Sequence, residues 1–480
     1  MGDETTHFLN QKSAEHTDYS KKWYVMTSIA MGVFLASIDG SIVNIALPTF
    51  VKSFSTEFAT VEWVVLAYLL TLTTLMLSVG RLADIVGKKK IYIAGLIIFT
   101  IGSLLCGLSG SIYSLIGFRV LQGIGSAFIM ALGTAIVTEA FPDKERGRAL
   151  GIIGMMVSIG IIAGPTIGGG LLSKFSWHWI FFVNIPIGIA GYFMVVKFVP
   201  LKIPETREKF DLIGSILLFV FMFCFSFSLS ISQKNGFGNF WVLFLLILGL
   251  AGLISFVFVE KKAQFPLIEL SLFSEGLFST NLITGFITFV ASAGTILLMP
   301  FYLEDVLKYE PSKIGLMMAI LPIVMGITAP MAGNLSDKYG TRKLTVIGLS
   351  ILTLGYYSIS MLAVNTSIWG YVLRFIPVGL GMGLFQSPNN SAIMGTVPKN
   401  RLGIASGLLA VTRTMGQMTG ISVLGAIWAF RVNFYAGGVG SVNSASALYQ
   451  VKGLNDTIFI TTLLVFFAFI LSLWTLIKEN

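Results

Sequence analysis

The sequence predicts an all-α membrane protein whose helices cross the bilayer many times. Of its 480 residues, 55% are hydrophobic and 11% are charged, whereas a soluble domain carries about 25% charged residues. Its apolar runs are about 20 residues long, which is the length that a helix needs to cross the hydrocarbon core. Lysines and arginines concentrate in alternate connections between these runs, a pattern typical of polytopic membrane proteins.

Fourteen apolar runs, separated by charged, glycine or proline residues, are candidate spans. They are predicted at 23–47, 62–80, 91–109, 112–138, 148–172, 179–199, 212–231, 240–259, 280–303, 314–333, 344–363, 368–394, 403–429 and 455–477. With the N-terminus inside, the internal segments hold about three times as many lysines and arginines as the external ones. We therefore expect both termini to be cytoplasmic in a multi-pass protein of the cell (inner or cytoplasmic) membrane.

Composition argues against several other classes of function. Most of the basic residues fall in predicted cytoplasmic loops, so the net charge of +9 indicates contact with anionic membrane lipids and not with nucleic acid. Cys106 and Cys224 lie in apolar runs, and two of the three histidines lie in the polar N-terminal tail. The sequence therefore predicts no disulfide framework, no metal site and no cofactor.

Two segments of the sequence repeat each other. The stretch from Gly80 to Lys90 returns at Gly333 to Lys343, with the spacing Gly-x-Leu-x-Asp-x-x-Gly kept and basic residues following. Arg119 and Arg374 lie at nearly the same offset. The repeat predicts two related bundles of about six helices each, separated by two additional spans.

This repeat sets the predicted domain boundaries. The first apolar run is too long for the core of a signal peptide, so it is predicted to be a retained span. We predict a cytoplasmic tail (1–22), an N-terminal bundle (23–199), two additional helices (200–262), an interfacial amphipathic segment (263–279) and a C-terminal bundle (280–480) with a mobile external loop (431–454).

One carboxylate, Asp39, lies in the first span. An acid at the centre of a membrane helix costs about 2.5–3.5 kcal/mol on insertion scales, so it is a functional candidate by default. Gly32, Ala36 and Gly40 recur every fourth position, which would let neighbouring helices approach closely. The structural alternative is an Asp39 that lies near the outer interface and is wetted.

Arg119, in the fourth span, is the predicted partner of Asp39. A buried arginine needs an acid or several acceptors, and Asp39 is the intramembrane acid at a comparable depth. Gln122 lies one turn further along and is placed to share the site. The alternative is a structural arginine held by backbone carbonyl groups.

The fifth span carries a predicted hinge. Its residues Gly160, Gly164, Gly168 and Gly169 permit close helix packing and bending, and Pro165 removes a backbone hydrogen bond. We interpret this stretch as a hinge that opens or seals one side of a central cavity.

The duplicated loop is interpreted as a cytoplasmic latch. Its glycines permit tight turns, its acids are able to cap helices or pair with bases, and its lysines are attracted to the inner leaflet. A plain positive-inside loop explains the lysines but not the repeated spacing. The predicted latch residues are Gly80, Asp84, Gly87, Lys88, Glu139, Arg148, Asp337 and Gly340.

Polar and aromatic residues at mid-span are predicted to line a substrate cavity. Arg413 and Gln417 form an i, i+4 polar pair on one helix face. Interhelical hydrogen bonding is an equal alternative for the polar residues of the twelfth span. The predicted cavity residues are Gln122, Trp63, Tyr68, Met155, Phe286, Gln386, Asn389, Asn390 and Arg413.

These motifs resemble the signature of the major facilitator superfamily. The resemblance rests on Gly80–Lys90, Arg119–Ala127 and Gly160–Gly170, the last being similar to its antiporter motif. The stretches Asp39–Pro48, Trp177–Pro186 and Pro266-Leu-Ile-Glu-Leu resemble its fourteen-helix drug/proton antiporter branch. The likeness covers about residues 23–477.

The resemblance implies a fold, a mechanism and two residue roles. The fold is two six-helix bundles with two inserted helices, and the mechanism is a rocker switch. Asp39 would be the proton-coupling acid and Arg119 its partner. Three departures qualify this: Ile85 replaces a usual arginine in the loop motif, His178 replaces an arginine between two tryptophans, and span 314–333 carries no acid.

The sequence thus predicts a proton-coupled efflux transporter, a drug:H+ antiporter for amphipathic or cationic small molecules. A dedicated exporter of a lipid, siderophore or metabolite is the alternative on the same fold. A membrane sensor or enzyme is the alternative of another class, but no nucleophile–base pair, metal cluster or nucleotide loop supports it. We expect a monomer, and a periplasmic adaptor as a further partner stays an open alternative.

Overall fold

The computed structural model of the protein describes residues 21–142, 145–201, 212–263, 270–397, 402–437, 442 and 445–479. These residues are helical and contain no β-strand. Twelve helical stretches among them are long and apolar enough to cross a membrane. The chain is therefore a multi-pass, all-α membrane protein, as its composition predicts.

The N-terminal half contains six long helices. Short helices at Phe58–Val61 and Trp179–Phe182 directly precede two of them. The six are α1 (Lys22–Ser53), α2 (Trp63–Val86), α3 (Lys88–Gly107), α4 (Ile112–Ala140), α5 (Arg146–Lys174) and α6 (Asn184–Phe198).

Two helices follow the N-terminal half, and six more form the C-terminal half. The two are α7 (Leu212–Asn235) and α8 (Phe240–Lys262). The six are α9 (Gly276–Phe301), α10 (Pro311–Tyr339), α11 (Thr341–Ile359), α12 (Ile368–Gly395), α13 (Leu402–Tyr435) and α14 (Ala447–Glu479). The twelve candidate spans include all of these long helices except α11 and α13.

Two glycines in the left-handed region of φ each join two long helices with no other residue between them. Gly87 joins α2 to α3 with φ +105°, and Gly340 joins α10 to α11 with φ +89°. Glycine accepts positive φ at little steric cost. The duplicated sequence motif therefore encodes the same abrupt connection in both halves.

Helix pairing repeats between the halves. In the first half α1 packs against α5, α2 against α4 and α3 against α4; in the second half α9 packs against α13, α10 against α12 and α11 against α12. The halves meet each other where α5 packs against α10 and where α2 packs against α13. The additional helix α7 packs on α8 and also contacts both α2 and α13.

Two segments are more helical than their composition predicts. In the predicted interfacial segment 263–279, residues 264–269 lie outside the described residues, Leu270–Ser274 form a 3-10 turn, and α9 has already begun at Gly276. In the predicted loop 431–454, α13 continues to Tyr435 and α14 starts at Ala447. Arg431 and Asp456 join these two helices at 2.5 Å, which stabilises their extended ends.

A buried Asp39–Arg119 pair beside a central cavity

Asp39 and Arg119 form an ion pair inside the N-terminal half. Arg119 Nη1 lies 2.6 Å from Asp39 Oδ2, and both residues are completely buried. Arg119 Nε also donates to the backbone oxygen of Val64 on α2 at 2.9 Å. The pair therefore connects α1, α2 and α4, and the alternative of a wetted Asp39 does not match this structure.

Two amides complete the coordination of the Asp39 carboxylate. Gln122 Nε2 donates to Oδ1 at 2.7 Å, and Asn184 Nδ2, from α6, donates to the same oxygen at 2.9 Å. Gln122 Oε1 accepts from Arg119 Nη1 at 2.6 Å. Both carboxylate oxygens of Asp39 therefore accept hydrogen bonds from side chains of two other helices.

Tyr68 lies directly against this buried network. Its ring centroid is 4.1 Å from the guanidinium carbon of Arg119, and its hydroxyl is 2.6 Å from Ser126 Oγ. The hydroxyl also donates to the backbone oxygen of Ala36 at 3.3 Å. Tyr68 in addition lines the central cavity, so one aromatic residue contacts both the ion pair and the cavity.

The central cavity lies between the two halves. Helices α1, α2, α4 and α5 supply one wall, and α9, α10, α12 and α13 supply the other. Six methionines and several aromatic residues make most of the wall apolar. The polar lining residues are Ser37, Ser41, Asn44, Tyr68, Ser126, Ser292, Tyr371, Gln386, Arg413, Thr414 and Gln417.

Of the nine residues predicted for the cavity wall, Tyr68, Gln386 and Arg413 line it. Gln122 is instead buried with Asp39. Trp63 packs against Phe223 and Phe227 of α7. Its indole nitrogen donates to Ser230 Oγ at 3.0 Å, so the additional helix takes its side chain away from the cavity.

The other predicted wall residues also lie elsewhere. Asn389 is buried and donates to the backbone oxygen of Asn281 at 3.2 Å. It therefore makes an interhelical hydrogen bond, which was the alternative prediction for this span. Asn390 and Met155 are exposed at the protein surface. The backbone of Phe286 lies against Gly416 of α13.

The glycines of α5 pack closely against α1. A Cβ added at Gly160, Gly164 or Gly168 would approach α1 atoms to under 3.0 Å. A Cβ at Gly169 would collide with the Pro311 backbone oxygen of α10, and Pro165 lines the cavity. This stretch therefore joins α1, the cavity and the other half of the molecule, and its role as a hinge stays a prediction.

The predicted latch is described only in part. Lys88 pairs with Glu139, and Arg148 lies 5.3 Å from the ring of Trp23. Gly80 has open space around it. The side chain of Asp84 lies outside the described residues, and Asp337 is exposed. The structure thus joins two of the predicted residues, and the latch as a whole stays a prediction.

The two halves meet at the end of the molecule where α1 and α9 end. Lys52 Nζ lies 2.5 Å from Glu304 Oε1 and 3.4 Å from Asp305 Oδ1. Beside this cluster, the ring of Phe58 contacts Phe301 and Trp428, with centroids 5.1 and 4.9 Å apart. The two acids therefore bridge the halves at this end of the molecule.

Sequence reasoning assigned no role to Asn184 and Glu62. Asn184 lies in the quoted Trp177–Pro186 stretch, where an amide within an apolar run is the available signal. Glu62 is completely buried where α2 begins, and its Oε1 accepts from Gln233 of α7 at 2.8 Å. Its Oε2 has no hydrogen-bond partner. Glu62 is the first residue of the predicted span 62–80, and no other signal in the sequence marks it.

Comparison with known proteins agrees with this architecture. Residues 29–421 match the Major Facilitator Superfamily. The chain belongs to this superfamily. "Riboflavin transporter RibZ" of Clostridioides difficile (strain 630) is 36% identical over 413 residues, covering 85% of this chain and 89% of the relative. "Multidrug resistance protein Stp" of Mycobacterium tuberculosis (strain CDC 1551 / Oshkosh) is 33% identical, covering 84% and 76%.

A solved structure shares the fold of this major facilitator protein. It is a bacterial homologue of the human lysosomal transporter Spinster, in an inward-facing and unoccupied conformation, with a TM-score of 0.68. It is 17% identical in sequence, and the alignment covers 94% of this chain and 97% of that one. This likeness shows the fold alone. The family match and the relatives identify the chain as a transporter of the superfamily, and they do not assign its substrate or its coupling ion.

Proposed function

We propose that this protein is a proton-coupled antiporter that exports amphipathic small molecules by alternating access. The observation that carries the proposal is the Asp39–Arg119 pair, which is sealed from solvent yet lies one aromatic ring away from the central cavity. An ionisable group at this depth is costly to bury, so its presence favours a role in proton movement.

The proposed topology has fourteen spans and two cytoplasmic termini. α11 and α13 join the twelve candidate spans because each pairs with apolar neighbours in the same way as α3 and α5 do in the first half. The basic loops then face the cytoplasm. In this orientation the end at which Lys52 and Glu304 bridge the halves is the outer one, so the halves are in contact on the outer side.

Proton binding at Asp39 would change the contacts of Arg119. A neutral carboxyl holds a guanidinium much less strongly than a carboxylate does. Arg119 also holds Val64 at the start of α2, two residues beyond Glu62 and close to the contact between the halves. Loss of the Asp39 interaction would therefore change the contacts of α2 near its start, which links the protonation state of Asp39 to the movement of the two halves.

Movement would be carried by the glycine-rich part of α5. Gly169 and Pro165 on α5 meet Pro311 and Gly315 on α10 through direct backbone contact. Rocking of the halves must break this contact when the outer end opens. Outward opening lets Asp39 take a proton and releases the substrate, and inward opening lets the proton leave and a new substrate bind.

Everted membrane vesicles test this coupling. Addition of substrate should drive proton release by the wild-type protein, and Asp39→Asn should abolish it while leaving the protein folded. Arg119→Lys should retain part of the activity because it keeps the charge but loses the bond to Val64. Undiminished proton release by Asp39→Asn would show that the carboxyl does not carry the proton.

A dedicated exporter of one metabolite is the second candidate. It is favoured by the relative named a riboflavin transporter, which is the more similar of the two relatives described here. Overexpression in a drug-sensitive host separates the candidates. Resistance to several unrelated compounds supports the multidrug function, whereas unchanged resistance with altered flavin release supports the dedicated one.

A further inference from the structure

Arg413 is the charged side chain of the central cavity. No aspartate, glutamate, lysine or histidine lines this cavity among the described residues, and Arg413 is its one arginine. Asp39 and Arg119 lie behind the wall and neutralise each other at 2.6 Å. The part of the cavity wall that the structure describes therefore carries a net positive charge.

Arg413 differs from two other arginines of the protein in the hydrogen bonds and ion pairs that its guanidinium makes. Arg374 donates to the backbone oxygens of Ser358 and Gly370 at 3.0 and 2.7 Å, and Arg431 pairs with Asp456. Among the described residues, no hydrogen bond or ion pair is made by Arg413. A structural arginine is held by backbone oxygens or by an acid, which was the alternative considered for Arg119. The contacts of Arg413 do not support that role.

An unpaired cation between two apolar walls is an unstable arrangement. Moving a charge out of water is costly unless a counter-charge and hydrogen bonds replace its hydration. The protein supplies nearby amides, Gln417 one turn along α13 and Gln386 on α12, but no described carboxylate. The missing counter-charge is best supplied by the molecule that enters the cavity.

The rest of the wall fits the body of such a molecule. Met76, Met130, Met299, Met318, Met325 and Met382 line the cavity. Methionine side chains are flexible and polarisable, so they adapt to ligands of different shapes. Phe289 and Phe375 add aromatic surface on the same half that carries Arg413.

We propose that the transported molecules are amphipathic organic anions, whose acidic group binds Arg413 and whose apolar body lies among the methionines. This inference rests on the proposed export function and narrows its substrates. It replaces the cationic substrates that were expected from the sequence, because the described lining of the cavity offers no carboxylate to bind a cation.

Three ligands that share one body but differ in charge provide the test. They are 7-(diethylamino)coumarin-3-carboxylic acid, its neutral methyl ester and its cationic choline ester. Binding to the purified full-length protein is measured by fluorescence anisotropy. The acid should bind about tenfold or more tightly than the choline ester, because a charge-assisted hydrogen bond contributes about that factor.

Variants of Arg413 distinguish recognition from structure. Arg413→Gln should remove the preference for the acid and leave the affinity for the methyl ester unchanged, which also shows that the variant is folded. Arg413→Lys should keep most of the preference. Equal losses for acid and ester in Arg413→Gln would overturn the inference, as would choline-ester binding as tight as that of the acid.

A transport measurement separates this inference from the proposed function. Uptake of the acid into everted vesicles should follow an imposed proton gradient and disappear in Asp39→Asn. If the acid binds selectively through Arg413 but its uptake ignores the gradient, the coupling proposal fails and the substrate class stands. If the choline ester is the one driven by the gradient, the coupling stands and the substrate class fails.

Discussion

Tyr68 covers the guanidinium of Arg119, with its ring centroid 4.1 Å from the central carbon, and at the same time lines the central cavity. The face of an aromatic ring attracts a cation and excludes water from it. A single side chain therefore both stabilises the buried pair and separates it from whatever occupies the cavity.

Substitution of Tyr68 tests this separation. Tyr68→Ala opens a path from the cavity to Arg119, so substrate-driven proton release should fall about tenfold or more, in line with the roughly 2 kcal/mol of a desolvated cation–π contact. Tyr68→Phe keeps the ring and loses only the hydroxyl bonds to Ser126 and Ala36, so it should keep activity within about tenfold of wild type. Equally large losses in Tyr68→Phe and Tyr68→Ala would show that the hydroxyl matters and that the ring alone does not keep the activity.

Gly169 and Gly170 form a matched pair for testing closure of the end that the proposed topology places outside. A Cβ at Gly169 would come too close to the Pro311 backbone oxygen, whereas a Cβ at Gly170 has open space. Gly169→Ala should therefore destabilise the present conformation, and Gly170→Ala should not. The measurement is the labelling rate of a cysteine introduced at Ser41, a cavity residue, by an impermeant outer reagent.

The expected result is faster labelling in Gly169→Ala than in the parent, with Gly170→Ala indistinguishable from it. Gly315→Ala should match Gly169→Ala, since its Cβ would meet the Pro165 backbone oxygen. Identical labelling in all three variants would mean that the α5–α10 contact does not govern closure.

Some parts of this architecture follow from the sequence because they depend on local or energetic constraints. The pairing of Asp39 with Arg119 follows from the high energy of an isolated charge in a membrane. The breaks at Gly87 and Gly340 follow from a repeated glycine spacing. In both cases the alternative arrangement is strongly unfavourable: an unpaired charge within the membrane, or a positive φ at a residue that has a side chain.

Other parts do not follow, because lipid-facing and core-facing surfaces are both apolar and periodicity does not separate them. Trp63 and Met155 were predicted for the cavity on residue type alone, yet one contacts α7 and the other is exposed. The hydrogen bond between Glu62 and Gln233 and the ion pair between Lys52 and Glu304 join residues that are distant in sequence. The packing of α7 against α2 brings the first two together, and the packing of the halves brings the second two together.

The Lys52–Glu304 pair predicts a charge-exchange rescue. Lys52→Glu places a third acid beside Glu304 and Asp305, so it should favour opening of the outer end and lower transport. Exposed ion pairs contribute only about 0.2–1 kcal/mol, so the expected loss is about fivefold or less. Adding Glu304→Lys should restore much of the loss, whereas Lys52→Ala serves as the control for side-chain removal.

A transport rate that stays low in the double variant Lys52→Glu, Glu304→Lys would argue against a direct electrostatic contact between the two positions. The result should also depend on salt, because exposed pairs are screened at high ionic strength. The difference between Lys52→Glu and wild type should therefore shrink as salt is raised.

The Glu62–Gln233 contact predicts a stability effect that depends on both partners. Gln233→Leu leaves a buried carboxyl without its donor, which should cost about 1–3 kcal/mol and lower the thermal unfolding midpoint in detergent. Replacing both partners, as Glu62→Met with Gln233→Leu, should recover most of that stability because no buried polar group is left unpaired.

Ser232→Ala provides the control on the same helix. Its hydroxyl is buried but donates only to Leu229 of α7 itself, so its removal should change the midpoint little. If Gln233→Leu and Ser232→Ala have the same unfolding midpoint, the hydrogen bond between α7 and the start of α2 contributes nothing to stability.

The position of α7 has a consequence for how hydrophobic compounds reach the transport pathway. α7 lies across the junction of α2 and α13, one of the two seams along which the halves separate. A molecule diffusing within the lipid leaflet meets the additional helix at this seam, whereas at the opposite seam it meets α5 and α10 packed directly against each other. The inserted helices thus make an otherwise two-sided transporter asymmetric toward its surrounding lipids.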